Sequence, residues 1–526
     1  MIIRKIDIRH LLTLFTLLIW ISSCANIKPI TGGDDDHIPP KIIKEKSTPN
    51  YQKNFASRKI ILHFDEWVKL DNPTANIIVS PTTEYPLNYT LKGKTLIVKL
   101  NEKETFKENT TYSIQFGDAI QDITANNKAS TIKYVFSTGD YIDSLMIRGI
   151  VKDAKTLLPA PKVLVLLYNN LMDTAVKRQK PDYFTWTDSS GQFQFQNIKS
   201  NTYSIYTLID KNQNYYFDQP NESFGFLNNS IVLTTANLDS ISLKISQENL
   251  PLAIKEKRNT PGKMVVILNQ AVSSASLNPL SSIPHFQNFN YDSLTIWYQA
   301  DSSFSEHISY ENQSDTIKFI AGNYFINNNK EHLTLQKSVL TPEEHIELNW
   351  VDLIKDWDTT KIHFIPYQPF KIICDTLNTR KLFIVPIVKN HEPLTLVIDS
   401  MMIKGISNKT NIQDTFRVSL IQQKSLSNIK ITFDSLLNNH HYILEIKEND
   451  KILIHRTFVA KDKQEKLSIS NILPGKYKAV LVLDENENGR WDPVKFDQKR
   501  MPEQVYIWDL SELRADWEVE VTLKLQ

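Results

Sequence analysis

Two stretches of the chain place oxygen-bearing side chains at the spacing of a calcium-binding loop. The residues at positions 1, 3, 5 and 9 are Asp484, Asn486, Asn488 and Asp492 in one stretch, and Asp210, Asn212, Asn214 and Asp218 in the other. A hard cation such as Ca²⁺ takes about six to eight oxygen ligands, and alternate residues of a tight turn can face it together. The sequence therefore predicts two calcium loops.

Both loops differ from a complete calcium loop. Position 6 is Gly489 in the later loop but Tyr215 in the earlier one, and position 12 carries Lys495 or Asn221 where a bidentate Glu is usual. Each loop thus brings two formal charges, which predicts a Kd of about 10⁻⁴–10⁻³ M, with the later loop binding better. The alternative is an Asn-rich turn whose side chains hydrogen-bond their own backbone. Calcium is the one cofactor the sequence suggests, and none is required.

Short catalytic motifs are absent from the sequence. It contains no His-Glu-x-x-His, no Gly-x-Ser-x-Gly, no Gly-rich phosphate loop and no Cys-x-x-Cys. His440 and His441 are adjacent, but on a β-strand neighbouring side chains point to opposite faces, so the two rings should not share a metal. Asp65 and Glu66 should diverge for the same reason. We expect a protein that is not an enzyme.

The N-terminus has the layout of a secretory signal peptide. Basic residues precede an apolar run at 11–21, and two serines then lead to Cys24. The run is shorter than the roughly 20 apolar residues that span a bilayer. Residues 1–23 are therefore interpreted as a signal peptide and not as a membrane-spanning helix.

The end of this signal, Ile21-Ser22-Ser23-Cys24, resembles a bacterial lipobox. The resemblance implies cleavage before Cys24 and its acylation by fatty chains such as palmitate; an ordinary signal peptide with a chance cysteine is the alternative. Several acyl chains together anchor a protein stably. We therefore expect a lipoprotein anchored in the outer membrane, on the cell surface or the periplasmic face, with residues 24–37 as a flexible tether.

Composition limits the class of protein. The 526 residues suggest three to five domains at about 150 residues each. A formal net charge of +1 provides no electrostatic surface for nucleic acid. Of the two cysteines, Cys24 is the acylation site, so Cys374 has no partner for an internal disulfide. Its strand-like surroundings favour a packing role.

Beyond the tether, the sequence consists of short β-branched or aromatic runs. Early examples are residues 59–64, 95–100, 111–116 and 133–137. Asn, Pro and Gly turns separate these runs at the spacing of a β-sandwich, and no segment keeps a period of 3.6. This pattern predicts an all-β chain of tandem sandwich domains.

Two units resemble known families. Motifs at 64–68, 109–112, 116–122 and 135–140 make residues 38–141 resemble the bacterial Ig-like domain of the S-layer-protein type, as it occurs in Bacteroidetes-type surface lipoproteins. Residues 142–246, with motifs at 147–153, 163–168, 187–195 and 203–206, resemble the transthyretin-like, carboxypeptidase-regulatory-like β-sandwich. Both resemblances imply β-sandwich folds.

The chain also repeats itself at a distance of 274 residues. Asn197, Tyr203, Asp210 and Asp218 recur as Asn471, Tyr477, Asp484 and Asp492. This repeat predicts a second transthyretin-like unit at 419–526. A weaker likeness predicts a second, divergent Ig-like domain at 331–418, which leaves residues 247–330 as a β-rich unit of uncertain type.

These features favour a non-catalytic, lipid-anchored cell-envelope protein, a rod of β-sandwich domains with a structural or adhesive role. The alternative is a surface module that binds a glycan or another envelope protein, with Trp297, Tyr298 and Trp508 as aromatic candidates. The acidic triplet Asp34-Asp35-Asp36 is a solvated spacer or, by resemblance, a surface-export signal.

Overall fold

The computed structural model describes residues 36–525, except 271, 273–274, 279–282, 284, 291, 325–331, 343, 375–379, 387–392 and 406–407. The signal peptide, Cys24, Asp34 and Asp35 lie outside the described residues. Strands make up 51% of the structure and helices 5%, so the predicted all-β class is confirmed. No helix in the described part of the chain has the length and apolar character needed to span a membrane.

The first unit (36–141) is a sandwich of short strands with one helical turn, α1 (Pro73–Asn76). Its strands are β1 (Lys59–His63), β2 (Val68–Leu70), β3 (Ile78–Ser80), β4 (Asn88–Lys92), β5 (Thr95–Lys99), β6 (Thr111–Gln115), β7 (Ile120–Asp122) and β8 (Lys133–Ser137). They form the sheets β1-β5-β4 and β3-β6-β8 and the pair β2-β7. In β1, Ile60 and Leu62 are buried and alternate with more exposed residues, as a half-buried strand requires.

The second unit (142–247) also contains a short helix, α2 (Ala175–Arg178). Its strands are β9 (Leu145–Asp153), β10 (Leu164–Tyr168), β11 (Tyr183–Trp186), β12 (Gln192–Ile198), β13 (Asn201–Ile209), β14 (Ser223–Phe226), β15 (Ile231–Leu233) and β16 (Leu238–Gln247). The sheet order is β11-β10-β13-β14-β16-β9-β12, with β15 on β13. All five residues of β10 are buried, because both faces of the sheet are covered.

The third unit (248–330) has its own core, which includes Met264, Leu294 and Ile308. Its strands are β17 (Ile254–Thr260), β18 (Lys263–Leu268), β19 (Ala275–Asn278), β20 (His285–Asn290), β21 (Ser293–Ala300), β22 (Phe304–Tyr310), β23 (Gln313–Phe319) and β24 (Gly322–Asn323). One sheet has the order β17-β18-β21-β20, with β24 on β21, and the other has the order β19-β22-β23.

The fourth unit (331–421) repeats the topology of the first. Its strands are β25 (Thr334–Leu335), β26 (Val339–Leu340), β27 (Ile346–Asn349), β28 (Ile354–Trp357), β29 (Ile362–Ile365), β30 (Phe370–Cys374), β31 (Lys381–Pro386), β32 (Leu394–Ile398), β33 (Ile403–Gly405) and β34 (Asp414–Leu420). Three strand orders of the first unit recur here: β1-β5-β4 as β27-β31-β30, β3-β6-β8 as β29-β32-β34, and β2-β7 as β28-β33. Cys374 is half-buried and packs against this core.

The fifth unit (422–525) repeats the topology of the second. Its strands are β35 (Ser427–Asp434), β36 (His441–Glu448), β37 (Lys451–Val459), β38 (Gln464–Ile472), β39 (Lys478–Asp484), β40 (Val505–Asp509) and β41 (Glu518–Lys524). The sheets β37-β36-β39-β40 and β38-β35-β41 correspond to β11-β10-β13-β14 and β12-β9-β16. The pairs β35–β41 and β9–β16 are both parallel.

The fifth unit contacts the second unit, although two units lie between them in the chain. Val494 and Phe496 from the β39–β40 connection are buried in the aromatic cluster on the outer face of the second unit. The expected rod, in which units follow one another in chain order, is therefore wrong in this respect. The chain folds back so that the second and fifth units, which share one topology, meet.

The aromatic residues proposed from the sequence as ligand-binding candidates are part of the packing. Trp297 and Tyr298 on β21 are 1% and 0% exposed. Tyr298 belongs to the core of the third unit, and the ring of Trp297 lies 5.2 Å from the guanidinium carbon of Arg380 in the fourth unit. Trp508 packs against the core of the fifth unit. The assignment is wrong for Trp297 and Tyr298 because both rings are buried, whereas Trp508 is half-buried on β40.

Candidate functional site

The two predicted calcium loops occupy equivalent places in the second and fifth units. The loop at 210–218 follows β13, and the loop at 484–492 begins at the last residue of β39. Each leads to the strand that pairs antiparallel with the one before it. The topology thus brings each set of four predicted side chains to one end of a sandwich.

The backbones of the two loops match residue by residue. Position 4 is left-handed in both, with φ of 60° at Gln213 and 61° at Glu487. Position 6 is also left-handed, with φ of 67° at Tyr215 and 73° at Gly489. The repeat at 274 residues is therefore present in the backbone as well as in the sequence.

The first Asp of the later loop holds the turn closed. Asp484 Oδ1 accepts a hydrogen bond from Asn488 N at 3.1 Å, and its Oδ2 accepts one from Gly489 N at 2.8 Å. In the earlier loop, Asp210 accepts from the backbone N–H groups of Gln213 and Tyr215 at 2.6 and 2.7 Å. These are the side chain–backbone bonds that stabilise Asx-type turns.

The two Asn side chains of each loop converge on its last Asp. Asn488 Nδ2 donates to Asp492 Oδ2 at 2.8 Å, and Asn486 Nδ2 donates to the same oxygen. In the earlier loop, Asn214 Nδ2 donates to Asp218 Oδ2 at 2.7 Å, and Asn212 Nδ2 donates to Oδ1 at 3.1 Å. All eight predicted residues thus meet in two sets of four, in the hydrogen-bonded arrangement of an Asn-rich turn.

A buried glutamate completes each loop, and the sequence analysis missed both. Glu503 Oε1 accepts from Glu485 N at 3.0 Å, and its Oε2 accepts from Asp492 N at 2.9 Å. Glu222 accepts from Lys211 N at 3.2 Å and from Asp218 N at 3.1 Å. The signal in the sequence is an acidic residue one position before the next strand at Glu222 and two positions before it at Glu503. Each loop therefore gathers three carboxylates instead of two.

The later loop has an unusual charge balance. Burial raises the pKa of Glu503 to about 7, and the nearby carboxylates of Asp492 and Asp484 act in the same direction against hydrogen bonds from backbone N–H groups. Arg500 provides a partial counter-charge, with Nη1 3.6 Å from Asp492 Oδ2. A cation at this loop would compete with a proton on Glu503 and with the Arg500 guanidinium.

The donor set is compatible with a hard cation. Rotating an Asn amide by 180° exchanges its nitrogen and oxygen, so the side chains that now donate to the last Asp can present oxygen instead. Together with three carboxylates, the two amides offer the oxygen ligands that Ca²⁺ prefers. Calcium binding at Asp484, Asn486, Asn488 and Asp492 and at their counterparts stays a prediction.

A separate acidic cluster lies in the first unit, where the sequence analysis named no site. One carboxylate oxygen from each of Asp36, Glu66 and Asp122 lies within 4.8 Å of the others. Burial raises the pKa of Glu66, and the carboxylates of Asp122, Asp65 and Asp36 add to the effect. The 86 positions between Asp36 and Asp122 hid this cluster from the sequence.

The adjacent histidines do not form a shared site. His440 Nδ1 lies 2.9 Å from the carbonyl oxygen of Asn438, whereas His441 Nε2 lies 3.5 Å from Glu487 Oε1. The two rings have different partners, and of the two residues it is His441 that lies on a strand, as the first residue of β36.

Comparison with known proteins identifies the first unit. Residues 36–138 match the family model of the bacterial Ig-like domain. This match confirms the expected Ig-like domain at the start of the described chain, and it leaves the other four units outside the matched region. No curated protein matches the sequence.

Several solved structures are similar to the chain at low identity. The major pilin subunit BcpA of Bacillus cereus is 10% identical, covering 73% of this chain and 99% of its own, with a TM-score of 0.15. The TIE protein of Bacillus anthracis is 11% identical over 98% and 78% of the two chains, with a TM-score of 0.15. The S-layer protein SbsC is 11% identical over 92% and 68%, with a TM-score of 0.16. Scores this low support no statement about fold or function.

Proposed function

We propose that this protein is a non-catalytic structural component of a bacterial cell envelope, anchored in the outer membrane by acyl chains on Cys24. The proposal draws on the lipobox-like end of the signal peptide, on the bacterial Ig-like match at 36–138 and on the succession of β-sandwich units.

The observation that supports a structural role is that the candidate loops stabilise the backbone and lie next to a contact between domains. Their carboxylates accept hydrogen bonds from backbone N–H groups, and the later loop leads directly to the segment that joins the fifth unit to the second. The polar residues with site-like spacing therefore support a joint between domains. Calcium, if bound there, would stiffen that joint.

Fractionation of cells tests the anchor. The Cys24→Ala variant removes the acylated sulfur, so we expect the protein to move from the detergent-extracted membrane fraction to the soluble periplasmic fraction. Cys374→Ala is the matched control and should stay in the membrane fraction. Membrane retention of the Cys24→Ala variant equal to that of the parent would contradict the lipid anchor.

A groove on the second unit favours a second candidate function, glycan binding. Trp186 is 38% exposed beside a groove of about 520 Å³, which Arg148, Asp188, Gln192 and Gln194 also line. An indole ring can stack on the apolar face of a sugar, while amide and guanidinium groups hydrogen-bond its hydroxyls. This groove replaces Trp297, Tyr298 and Trp508 as the place where a glycan would bind.

A glycan array tests this second candidate. Binding should be lost in Trp186→Ala and retained in Trp67→Ala, which removes an exposed tryptophan from the first unit. Equal array profiles for the parent and Trp186→Ala would rule out the groove.

A further inference from the structure

A cleft of about 340 Å³ lies between the first and second units. Ile77, Leu87 and Tyr89 line it from the first unit, and Lys180, Phe184 and Tyr215 line it from the second. Sites for small molecules commonly have volumes of about 300–1,000 Å³, are mostly apolar and lie at domain interfaces. The cleft meets each of these conditions.

Contacts between the two units hold the cleft in shape. Thr82 N donates to the carbonyl oxygen of Asp182 at 2.9 Å, and Lys107 Nζ lies 2.7 Å from Asp182 Oδ1. A further bridge joins Lys133 Nζ to Gln196 Oε1 at 2.8 Å. The walls are therefore positioned before any ligand arrives, which lowers the entropic cost of binding.

Tyr215 occupies its place in the cleft against its backbone preference. Its φ of 67° is left-handed, a region that bulky residues avoid, and the equivalent position of the repeat is Gly489. Asp210 fixes this conformation by accepting a hydrogen bond from Tyr215 N at 2.7 Å. The ring centre then lies 4.9 Å from that of Phe184. Strained residues of this kind concentrate at functional sites.

The polar groups that line the cleft favour a ligand with a negative charge. Lys180 is the charged residue among those lining the cleft, and within the described part of the chain its ammonium has no ion pair or hydrogen bond. The Tyr89 and Tyr215 hydroxyls likewise have no hydrogen-bond partner among the described residues, and three threonines add hydroxyl groups to the lining, namely Thr74, Thr82 and Thr83. One cation, free hydroxyls and aromatic walls complement an apolar molecule that carries an anionic group.

We propose that this cleft binds a small organic anion whose apolar body lies against Tyr89, Phe184 and Tyr215 and whose carboxylate or sulfonate pairs with Lys180. The site is distinct from the candidate calcium loops, although Tyr215 belongs to the earlier loop. It adds a binding function to a structural protein and does not depend on the lipid anchor.

Two fluorescent probes with a common ring system test the proposal. The anion 1-anilinonaphthalene-8-sulfonate and the neutral N-phenyl-1-naphthylamine are titrated into the purified full-length chain carrying Cys24→Ala, in buffer without detergent. We expect both probes to bind, with the anion at least tenfold tighter. Lys180→Gln should weaken the anion about tenfold and leave the affinity for the neutral probe within twofold.

Tyr215→Gly tests the aromatic wall with the residue that the repeat itself uses. Because glycine adopts the left-handed conformation without strain, the variant should fold, and relief of that strain should offset part of the packing lost against Phe184. Both probes should bind at least tenfold more weakly. Trp186→Ala is the control for binding in the other groove of the second unit and should change neither affinity.

Three results would overturn the proposal. They are failure of the parent to bind the anionic probe, equal effects of Lys180→Gln on the two probes, and loss of probe binding in Trp186→Ala with no loss in Tyr215→Gly. Lys180 is exposed, and its ammonium makes no hydrogen bond or ion pair with the residues that the structure describes, so its variant stays interpretable if Tyr215→Gly proves unstable.

Discussion

Glu503 is the buried side chain of the later loop whose pKa is raised. It is 3% exposed, bonds two backbone N–H groups and lies near two further carboxylates. Removing a carboxyl from water disfavours its charged form, and neighbouring negative charge adds to that effect. Its protonation therefore couples the stability of the joint to pH in the physiological range.

Glu503→Gln should remove part of the pH dependence of stability. Because the pKa of Glu503 is raised to about 7 from a reference of 4.5, the folded chain holds the proton more tightly than the unfolded chain. Its contribution is fully present below about pH 4.5 and is lost as the pH rises through about 7, a change of up to about 3 kcal/mol. Urea unfolding at pH 5 and pH 8 should show this difference in the parent and a smaller one in the variant. Equal pH dependence in both would contradict it.

The second prediction at this scale concerns calcium binding at the two loops. Millimolar calcium should raise the Tm of the parent, since a ligand at ten times its Kd that binds only the native state adds about 1.4 kcal/mol. Replacing Asp210, Asp218, Asp484 and Asp492 by Asn keeps one acceptor oxygen on each side chain but removes four charges, so the effect of calcium should disappear. Magnesium is the control and should act less, because it demands a strict octahedron. Identical calorimetric traces with calcium and with chelator would leave both loops as Asn-rich turns.

The four Asp and Asn residues of each candidate calcium loop were predictable from their spacing, but the glutamate that completes each loop was not. Positions 1, 3, 5 and 9 stand out because a local turn brings alternate residues together. Glu222 follows Asp218 by four positions, but Glu503 follows Asp492 by eleven, so no common spacing marks them. The Tyr215 wall of the cleft escaped prediction because a left-handed tyrosine has no sequence signature.

The element that distinguishes the two loops is an insertion, here named the arm (493–502). The later loop is seven residues longer than the earlier one between its last Asp and its Glu. The arm crosses to the second unit, where Val494 N donates to Ser246 Oγ at 3.0 Å. Phe496 N donates at 2.7 Å to Oε1 of Glu248, the first residue of the third unit. The ion pair Lys177–Asp497, at 2.6 Å, lies at its edge.

Phe496 is the anchor of the arm. Its ring centre lies 4.9 Å from that of Phe224 and 5.4 Å from that of Phe226, and the ammonium of Lys177 lies 5.7 Å from the ring. Aromatic pairs and cation–π contacts add to the burial of apolar surface at such a joint. The outer face of the second unit is therefore completed by a residue from a unit far along the chain.

Phe496→Ala should weaken the joint strongly. Loss of a buried Phe side chain costs about 3–5 kcal/mol, and here the loss falls on the contact between units. We expect limited proteolysis to cleave the arm faster, with cleavage mapped by mass spectrometry. Phe496→Leu, which keeps an apolar side chain, should be cleaved at an intermediate rate. Equal cleavage rates for the parent and Phe496→Ala would show that the arm does not depend on this residue.

Strand patterns predicted the elements better than their contacts. Alternating apolar residues and Asn-rich turns indicated the sandwiches, and motif order placed the Ig-like domain that the family match confirms. The arm gave no such signal because its buried Val494 and Phe496 stand among charged residues. Periodicity reports which face of a strand is buried, but it does not report which distant unit covers that face.

At the scale of the whole molecule, the chain is a duplicated pair of domains with a β-rich unit between the copies. The first and fourth units share one topology, and the second and fifth share another. The arm links the second and fifth units, and Lys244 Nζ adds a hydrogen bond to Gln504 Oε1 at 2.6 Å. Contacts between non-consecutive units restrict the motions that a linear string of domains would allow.

Shortening the arm to the length found in the earlier loop tests this restriction. Replacing residues 493–502 by Gln-Pro-Asn, the residues between Asp218 and Glu222, keeps the loop and its glutamate but removes the contacts that the arm makes with the second unit. Small-angle X-ray scattering should then show a larger radius of gyration and maximum dimension, because the fourth and fifth units lose their hold on the second. Calorimetry should resolve an additional transition, since domains without a shared interface unfold independently. A second variant keeps the full length of the arm but replaces Val494 and Phe496 by Ser. It separates the loss of apolar contact from the change in loop length, and it should show the same expansion. Scattering profiles that superimpose for the parent and both variants would mean that the remaining contacts alone hold the units together.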